Sequence, residues 1–74
     1  MVTVLRIERV KTGMTLRKFA NSVGISETTL SRIETGKSYI TPKQRVKLSE
    51  YLGMDVGDIC DENGWPVLYR RQIK

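Results

Sequence analysis

Residues 15–36 read Thr15-Leu-Arg-Lys-Phe-Ala-Asn-Ser-Val-Gly24-Ile-Ser26-Glu-Thr-Thr-Leu-Ser-Arg-Ile-Glu-Thr-Gly36, and they decide the fold. Thr15 precedes the segment LRKFANSV and Gly24 follows it; Ser26 precedes ETTLSRIET and Gly36 follows that. A hydroxyl ahead of a periodic segment can accept from the free N–H groups of a first helical turn, and a glycine behind it lets the chain leave the helix. Leu16, Phe19, Ala20 and Val23 recur at i, i+3, i+4 and i+7, the spacing of one apolar stripe facing a core. Leu30 and Ile33 do the same in the next segment. Two helices joined by so short a connection must cross steeply. Gly24 can take the positive φ that such a turn requires. Ala20 is expected where the two helices come closest, since a larger side chain there would push them apart, with Ile25, Leu30 and Ile33 filling the space between.

Working outward, Thr41-Pro42-Lys43-Gln44 is a capping box with proline at the first helical position, and Gly53 closes that helix after Leu52. Thr3 to Thr12 is a first helix ended by Gly13, and Asp55 is expected to cap a short last helix through Cys60. Leu48 with Leu52, and Val56 with Ile59, are the inward positions of those last two helices. The predicted architecture is all-α, with five short helices over residues 1–62 and a C-terminal extension over 63–74. Asn63-Gly64 is a turn signal, and Trp65-Pro66-Val67-Leu68-Tyr69 is rich in strand formers. Two partners are open to such a strand: a second copy across a two-fold axis, or Met1 to Val4. Trp65, Val67 and Tyr69 are accordingly the candidate dimerisation residues.

A chain of 74 residues accommodates one domain, and one so small buries only about 60% of the surface its unfolded form exposes. One cysteine, Cys60, and no histidine exclude a disulfide framework and a Cys/His zinc site within the chain. Cys60 has no imidazole base, and Asp58, Asp61 and Glu62 beside it raise rather than lower its pKa. With no phosphate-binding glycine loop and no carboxylates at metal-ligand spacing, neither an enzyme nor a cofactor is expected. No apolar run approaches the roughly 20 residues of a membrane span, and the start MVTVLRIERV is charged where a signal peptide needs its apolar core. A cytoplasmic protein, neither exported nor membrane-bound, is the expectation.

Net charge is +5 and the pI about 9.7, but the charge is unevenly placed. Residues 1–49 hold ten Lys/Arg against Glu8, Glu27 and Glu34, whereas residues 50–69 hold Glu50, Asp55, Asp58, Asp61 and Glu62 and no basic residue. Arg70, Arg71 and Lys74 then restore positive charge. The basic part is the part with a polyanion to meet.

From Leu5 to about Cys60 the sequence resembles the Cro/cI-like (Xre-type) helix-turn-helix family of phage repressors and bacterial regulators. The resemblance rests on Arg9, Gly13-Met14-Thr15, Phe19-Ala20, Val23-Gly24-Ile25-Ser26, Leu30-Ser31-Arg32-Ile33-Glu34, Gly36, Leu48 and Leu52-Gly53. It implies a phage-repressor-like fold of five helices and operator binding, usually as a dimer. It also implies base reading at Ser26, Glu27, Thr28 and Arg32, and an internal ion pair between Arg9 and Glu34. Where many members have glutamine bracing a DNA phosphate at the start of the second helix, this chain has Leu16; Thr15 and Arg17 beside it can donate instead.

Removing the apolar positions from the third helix leaves Glu27, Thr28, Ser31, Arg32 and Thr35 facing outward. Arg32 can pair bidentately with guanine O6 and N7, Glu27 can accept from cytosine N4, and the Thr28 methyl can meet a thymine methyl. Phosphate contacts are expected from Thr15, Arg17, Lys37, Ser38, Tyr39 and Lys43. Arg9, Glu34, Ala20 and Gly24 support the frame. The function expected is that of a sequence-specific regulator, a repressor of phage or mobile-element type, gripping double-stranded DNA as a homodimer. The alternative is an antitoxin-like interaction module that docks an acidic protein partner.

Overall fold

The computed structural model describes residues 2–69. Five helices occur among them: α1 (Val4–Lys11), α2 (Leu16–Val23), α3 (Glu27–Glu34), α4 (Pro42–Leu52) and α5 (Val56–Ile59). The first four each begin at a hydroxyl that accepts a backbone N–H: Thr3 from Arg6, Thr15 from Lys18, Ser26 from Thr29 and Thr41 from Gln44. Thr41 also receives the reciprocal bond, its own N–H donating to the Gln44 side chain at 3.0 Å. Each such cap contributes about 1 kcal/mol. Asp55 stands at the start of α5 with extended backbone, but its carboxylate makes no capping hydrogen bond, contrary to the expectation for that residue.

Every helix sends side chains into one core: Leu5 from α1, Phe19, Ala20 and Val23 from α2, Leu30 and Ile33 from α3, Leu48 from α4 and Ile59 from α5. Fully burying a leucine- or phenylalanine-sized side chain contributes about 1.5–3 kcal/mol. α2 packs on α3 and α4, α4 packs on α5, and α5 returns to α1. Gly24 has φ 69° and ends α2, so the turn into α3 uses the conformation its sequence position suggested. Two assignments differ from the periodic pattern. Val56 is exposed, and at the end of this one-turn helix Ile59 and Cys60 are the residues that enter the core. Ile40, in the connection between α3 and α4, is fully buried.

The end of the described chain folds back on its beginning. Thr3 faces Leu68 and Cys60 faces Pro66 in isolated antiparallel bridges. The Val4 N–H donates to the Val67 carbonyl at 2.9 Å and the Tyr69 N–H to the Val2 carbonyl at 2.7 Å, while the Val67 N–H reaches the Ile59 carbonyl at 2.9 Å. Residues 65–69 thus pair within the chain with the N-terminal segment, one of the two partners open to them, and with the residues that follow α5. Met1, Arg70, Arg71 and Lys74 lie outside the described residues.

Among the described residues, charge enters the interior at one place. Glu34, at the end of α3, is 3% exposed, and its Oε2 accepts from Arg9 Nε at 2.7 Å. Arg9 Nη1 also donates to the Met14 carbonyl at 2.8 Å. The buried Thr3 hydroxyl donates to the Glu34 carbonyl at 2.9 Å, tying the start of α1 to the same turn. No buried side-chain nitrogen or oxygen among the described residues lacks a partner.

Two substitutions probe this frame through thermal melting of the free protein. Ala20→Leu should lower stability by about 1–3 kcal/mol, the usual result of overpacking a filled core; an unchanged midpoint would place Ala20 away from the helix contact. Glu34→Ala leaves the Arg9 guanidinium without its carboxylate and should cost about 3–5 kcal/mol. A loss below about 1 kcal/mol, the range of exposed ion pairs, would mean the pair is not desolvated.

Candidate nucleic-acid interface

α3 is divided between a buried and an open side. Leu30, Ile33 and Glu34 point inward, whereas Glu27, Thr28 and Arg32 are exposed and Ser31 is half-buried. Glu27, Thr28, Ser31 and Arg32 line one shallow depression, floored on the α2 side by Leu16. Four of the five base-reading candidates are thus brought together. The fifth, Ser26, lies at the adjoining cap, where its hydroxyl accepts from the Thr29 N–H at 3.2 Å and donates to Thr29 Oγ1 at 2.8 Å. That hydroxyl is occupied in both senses, so a base would have to displace Thr29 Oγ1 to receive its proton. Thr35, also expected to face outward, is exposed but donates its hydroxyl back to the Ser31 and Arg32 carbonyls.

The phosphate candidates fall into two groups. Thr15 and Arg17 sit at the start of α2, with Thr15 accepting the Lys18 N–H and keeping its own hydroxyl proton. Arg17 Nε lies 3.8 Å from Glu27 Oε1, both well exposed. Such a pair contributes about 0–1 kcal/mol, so it opens readily when either partner meets DNA. Lys37, Ser38 and Tyr39 occupy the loop after α3, held to that helix by the Lys37 N–H bond to the Arg32 carbonyl at 2.8 Å. Lys43 is exposed on the first turn of α4. An exposed cation of this kind fixes register on a phosphate backbone without reading bases.

A profile of the helix-turn-helix family matches residues 5–59. The chain belongs to that family, in its Xre-type, Cro/cI-like form. Among curated proteins it is similar to the uncharacterized HTH-type transcriptional regulator YddM of Escherichia coli (strain K12), at 42% identity over 40 residues, which cover 54% of this chain and 43% of that protein. The chain therefore matches less than half the length of that relative. No solved structure matches. DNA-binding transcription regulation is the activity the family supports, and its members are generally not enzymes.

Within this helix-turn-helix frame the structure adds residues that periodicity did not mark. Arg45, half-buried on α4, donates from Nε to the Ile40 carbonyl at 2.8 Å and so fixes the end of the Lys37–Ile40 loop. A basic residue one turn into a helix carries no sequence signal for a bond to the connection preceding it. No group of His, Cys, Asp and Glu among the described residues could hold a metal ion. Cys60 is buried in the core, and burial pushes its thiol above the usual value, with Arg45 lowering and Asp61 raising it in smaller measure. A neutral, covered thiol is a poor nucleophile. In the native protein at pH 8 a chromogenic disulfide reagent should label Cys60 at least about tenfold more slowly than in denaturant. Equal rates would show an accessible thiolate.

Proposed function

We propose that this protein is a sequence-specific transcriptional regulator of the phage or mobile-element repressor type, which binds a palindromic operator as a two-fold dimer with α3 in the major groove. One observation carries the reading: α3 exposes Glu27, Thr28, Ser31 and Arg32 around one depression while Leu30, Ile33 and Glu34 fix its other side. Arg32 is assigned to a guanine, Glu27 to a cytosine amino group and Thr28 to a thymine methyl, with Ser26 and Ser31 completing the reading surface. Thr15, Arg17, Lys37, Ser38, Tyr39 and Lys43 grip phosphates on either side. The DNA target places its action in the cytoplasm of a bacterial host.

The operator symmetry follows from size. A single helix of this length reads too few base pairs for specificity, and a dimer sets two such helices about 34 Å apart on successive turns of the groove. We assign the contact between copies to the extension over residues 63–74, beyond the DNA-binding part over 1–62. The rings of Trp65 and Tyr69 remain about half exposed, which supports this. Val67 already uses its N–H and carbonyl within the chain. By the two-residue period of a strand, the edge left for a partner is therefore the one presented by Leu68.

Selection of bound duplexes from a random pool tests the whole reading: two inverted half-sites with centres about 10 base pairs apart are expected. On the selected duplex, Arg32→Ala should cost about 1–3 kcal/mol and relax preference at one base pair per half-site. Lys37→Ala should weaken selected and scrambled duplexes alike and reduce the salt slope by about one. Uniform loss from both variants would remove α3 as the reader, and binding indifferent to salt and sequence would remove DNA as the ligand.

A further inference from the structure

The loop that carries Lys37, Ser38 and Tyr39 is held at its far end by a segment beyond the family's matched residues. Ile40 closes that loop. Its side chain is fully buried, its carbonyl accepts from Arg45 Nε at 2.8 Å, and its N–H donates to the Gly64 carbonyl at 2.7 Å. Gly64 is buried with φ 90°, and a Cβ there would run into Arg45 Nη2 and lie 2.7 Å from the Ile40 carbonyl oxygen. The turn presenting Gly64 is itself fastened. Asp61 Oδ1 accepts from the N–H groups of Asn63 and Trp65, each at 2.9 Å, and the Asp61 carbonyl accepts the Gly64 N–H at 2.9 Å.

The next residue reaches the loop directly. The Trp65 ring meets the Tyr39 ring edge-on, with centroids 6.2 Å apart and planes at 63°. Both rings are otherwise about half exposed, so each covers part of the other while Tyr39 keeps a free face. An aromatic pair in this geometry favours one orientation of each ring. A loop already held in its bound form loses less freedom when it meets a ligand.

We propose that the turn and strand after α5, residues 61–69, preorganise the phosphate-gripping loop for DNA, with Trp65 as the positioning residue acting through Tyr39. This rests on the reading of Lys37, Ser38 and Tyr39 as phosphate contacts. Gly64 sets the height of the loop through Ile40, and Trp65 sets the direction of Tyr39. The bonds from Val67 to Val4 and Ile59, and from Tyr69 to Val2, hold this brace against the start of α1 and the end of α5. Its hydrogen bonds go to Ile40, to Ile59 and to Val2 and Val4, and none goes to the base-reading residues 26–32, so the brace acts on affinity and not on sequence preference.

The experiment is a double-mutant cycle on the full chain, using labelled duplexes, one selected from a random pool and one scrambled, well below every variant's melting midpoint. Trp65→Ala should weaken both duplexes by the same factor, about tenfold, and should have no further effect in a Tyr39→Ala background. Trp65→Phe, which keeps a ring edge, should restore most of the affinity. Losses that simply multiply in the double variant would overturn the positioning role, because Trp65 would then act on DNA or on the fold independently of Tyr39. Because Trp65 also belongs to the proposed contact between copies, wild type and Trp65→Ala are compared at concentrations where sedimentation without DNA shows both as dimers; a loss of affinity that disappears under that condition would also overturn the positioning role. Should Trp65→Ala not fold, Trp65→Leu completes the same cycle. Lys37→Ala separates the two readings: if it leaves binding and salt slope unchanged, the loop does not grip phosphate, whereas a Lys37 effect with independent Trp65 and Tyr39 effects defeats the brace alone.

Discussion

The Glu34 carboxylate sits in the interior at the end of α3, and the rest of the molecule is arranged so that it is not alone there. A buried charge without a partner is strongly unfavourable, whereas a paired one is at best near neutral against an apolar replacement. Its worth in this fold is therefore positional. Arg9 brings α1 to it, and through Met14 brings the connection into α2; Thr3 brings the start of α1 to the carbonyl of the same residue. Both ends of α1 and, through Arg9, the connection into α2 are thereby tied to the last turn of the helix that carries the base-reading candidates. Rotation of α3 about its axis would pull Glu34 from Arg9, so the outward bearing of Thr28, Ser31 and Arg32 is fixed from behind.

Local chemistry made most of the helical frame legible. Thr3, Thr15, Ser26 and Thr41 accept the N–H groups that their positions ahead of periodic segments imply, and Leu16 to Val23 show a stripe that the structure turns inward. The grouping of Glu27, Thr28, Ser31 and Arg32 on one side of α3 follows from the same period. What escaped the sequence is long-range or falls where the period is too short to constrain anything. Val56 fits an apolar pattern, yet an i, i+3 pair in one turn is too little to fix a face, and the core takes Ile59 and Cys60. Ile40 stands in a connection with no period at all. The bond from Arg45 to the Ile40 carbonyl joins elements whose proximity only the assembled core creates, whereas pairing of residues 65–69 with Met1 to Val4 is one of two options the sequence leaves open and the one that Thr3 and Leu68 show.

The uneven charge along the chain takes on a more definite meaning against this frame. The basic residues proposed to meet DNA belong to α2, the loop after α3 and the start of α4, while acidic residues cluster from Glu50 onward. Three of the five reading residues, Ser26, Thr28 and Ser31, are short and uncharged, one is the acidic Glu27 and one is Arg32. A surface so composed discriminates by the placement of a few donors and acceptors, and the cations around it supply attraction that depends on salt more than on sequence.

The antiparallel contact between Thr3 and Leu68 also bears on how the molecule is made. The helix caps and the crossing of α2 with α3 are contacts between near neighbours and can form early, because little chain entropy is lost in closing short loops. The bridge joining the two ends of the described chain closes almost all of it and belongs to the last step. A chain that ends before Leu68 still holds every residue of the five helices. Thr3 Oγ1 and Glu34 can meet within that partial chain, but the pairing of Val2 to Val4 with residues 67–69 cannot form. A prematurely ended chain would thus show native helices with an unpaired backbone at Val2 and Val4, the kind of open edge on which chains associate wrongly.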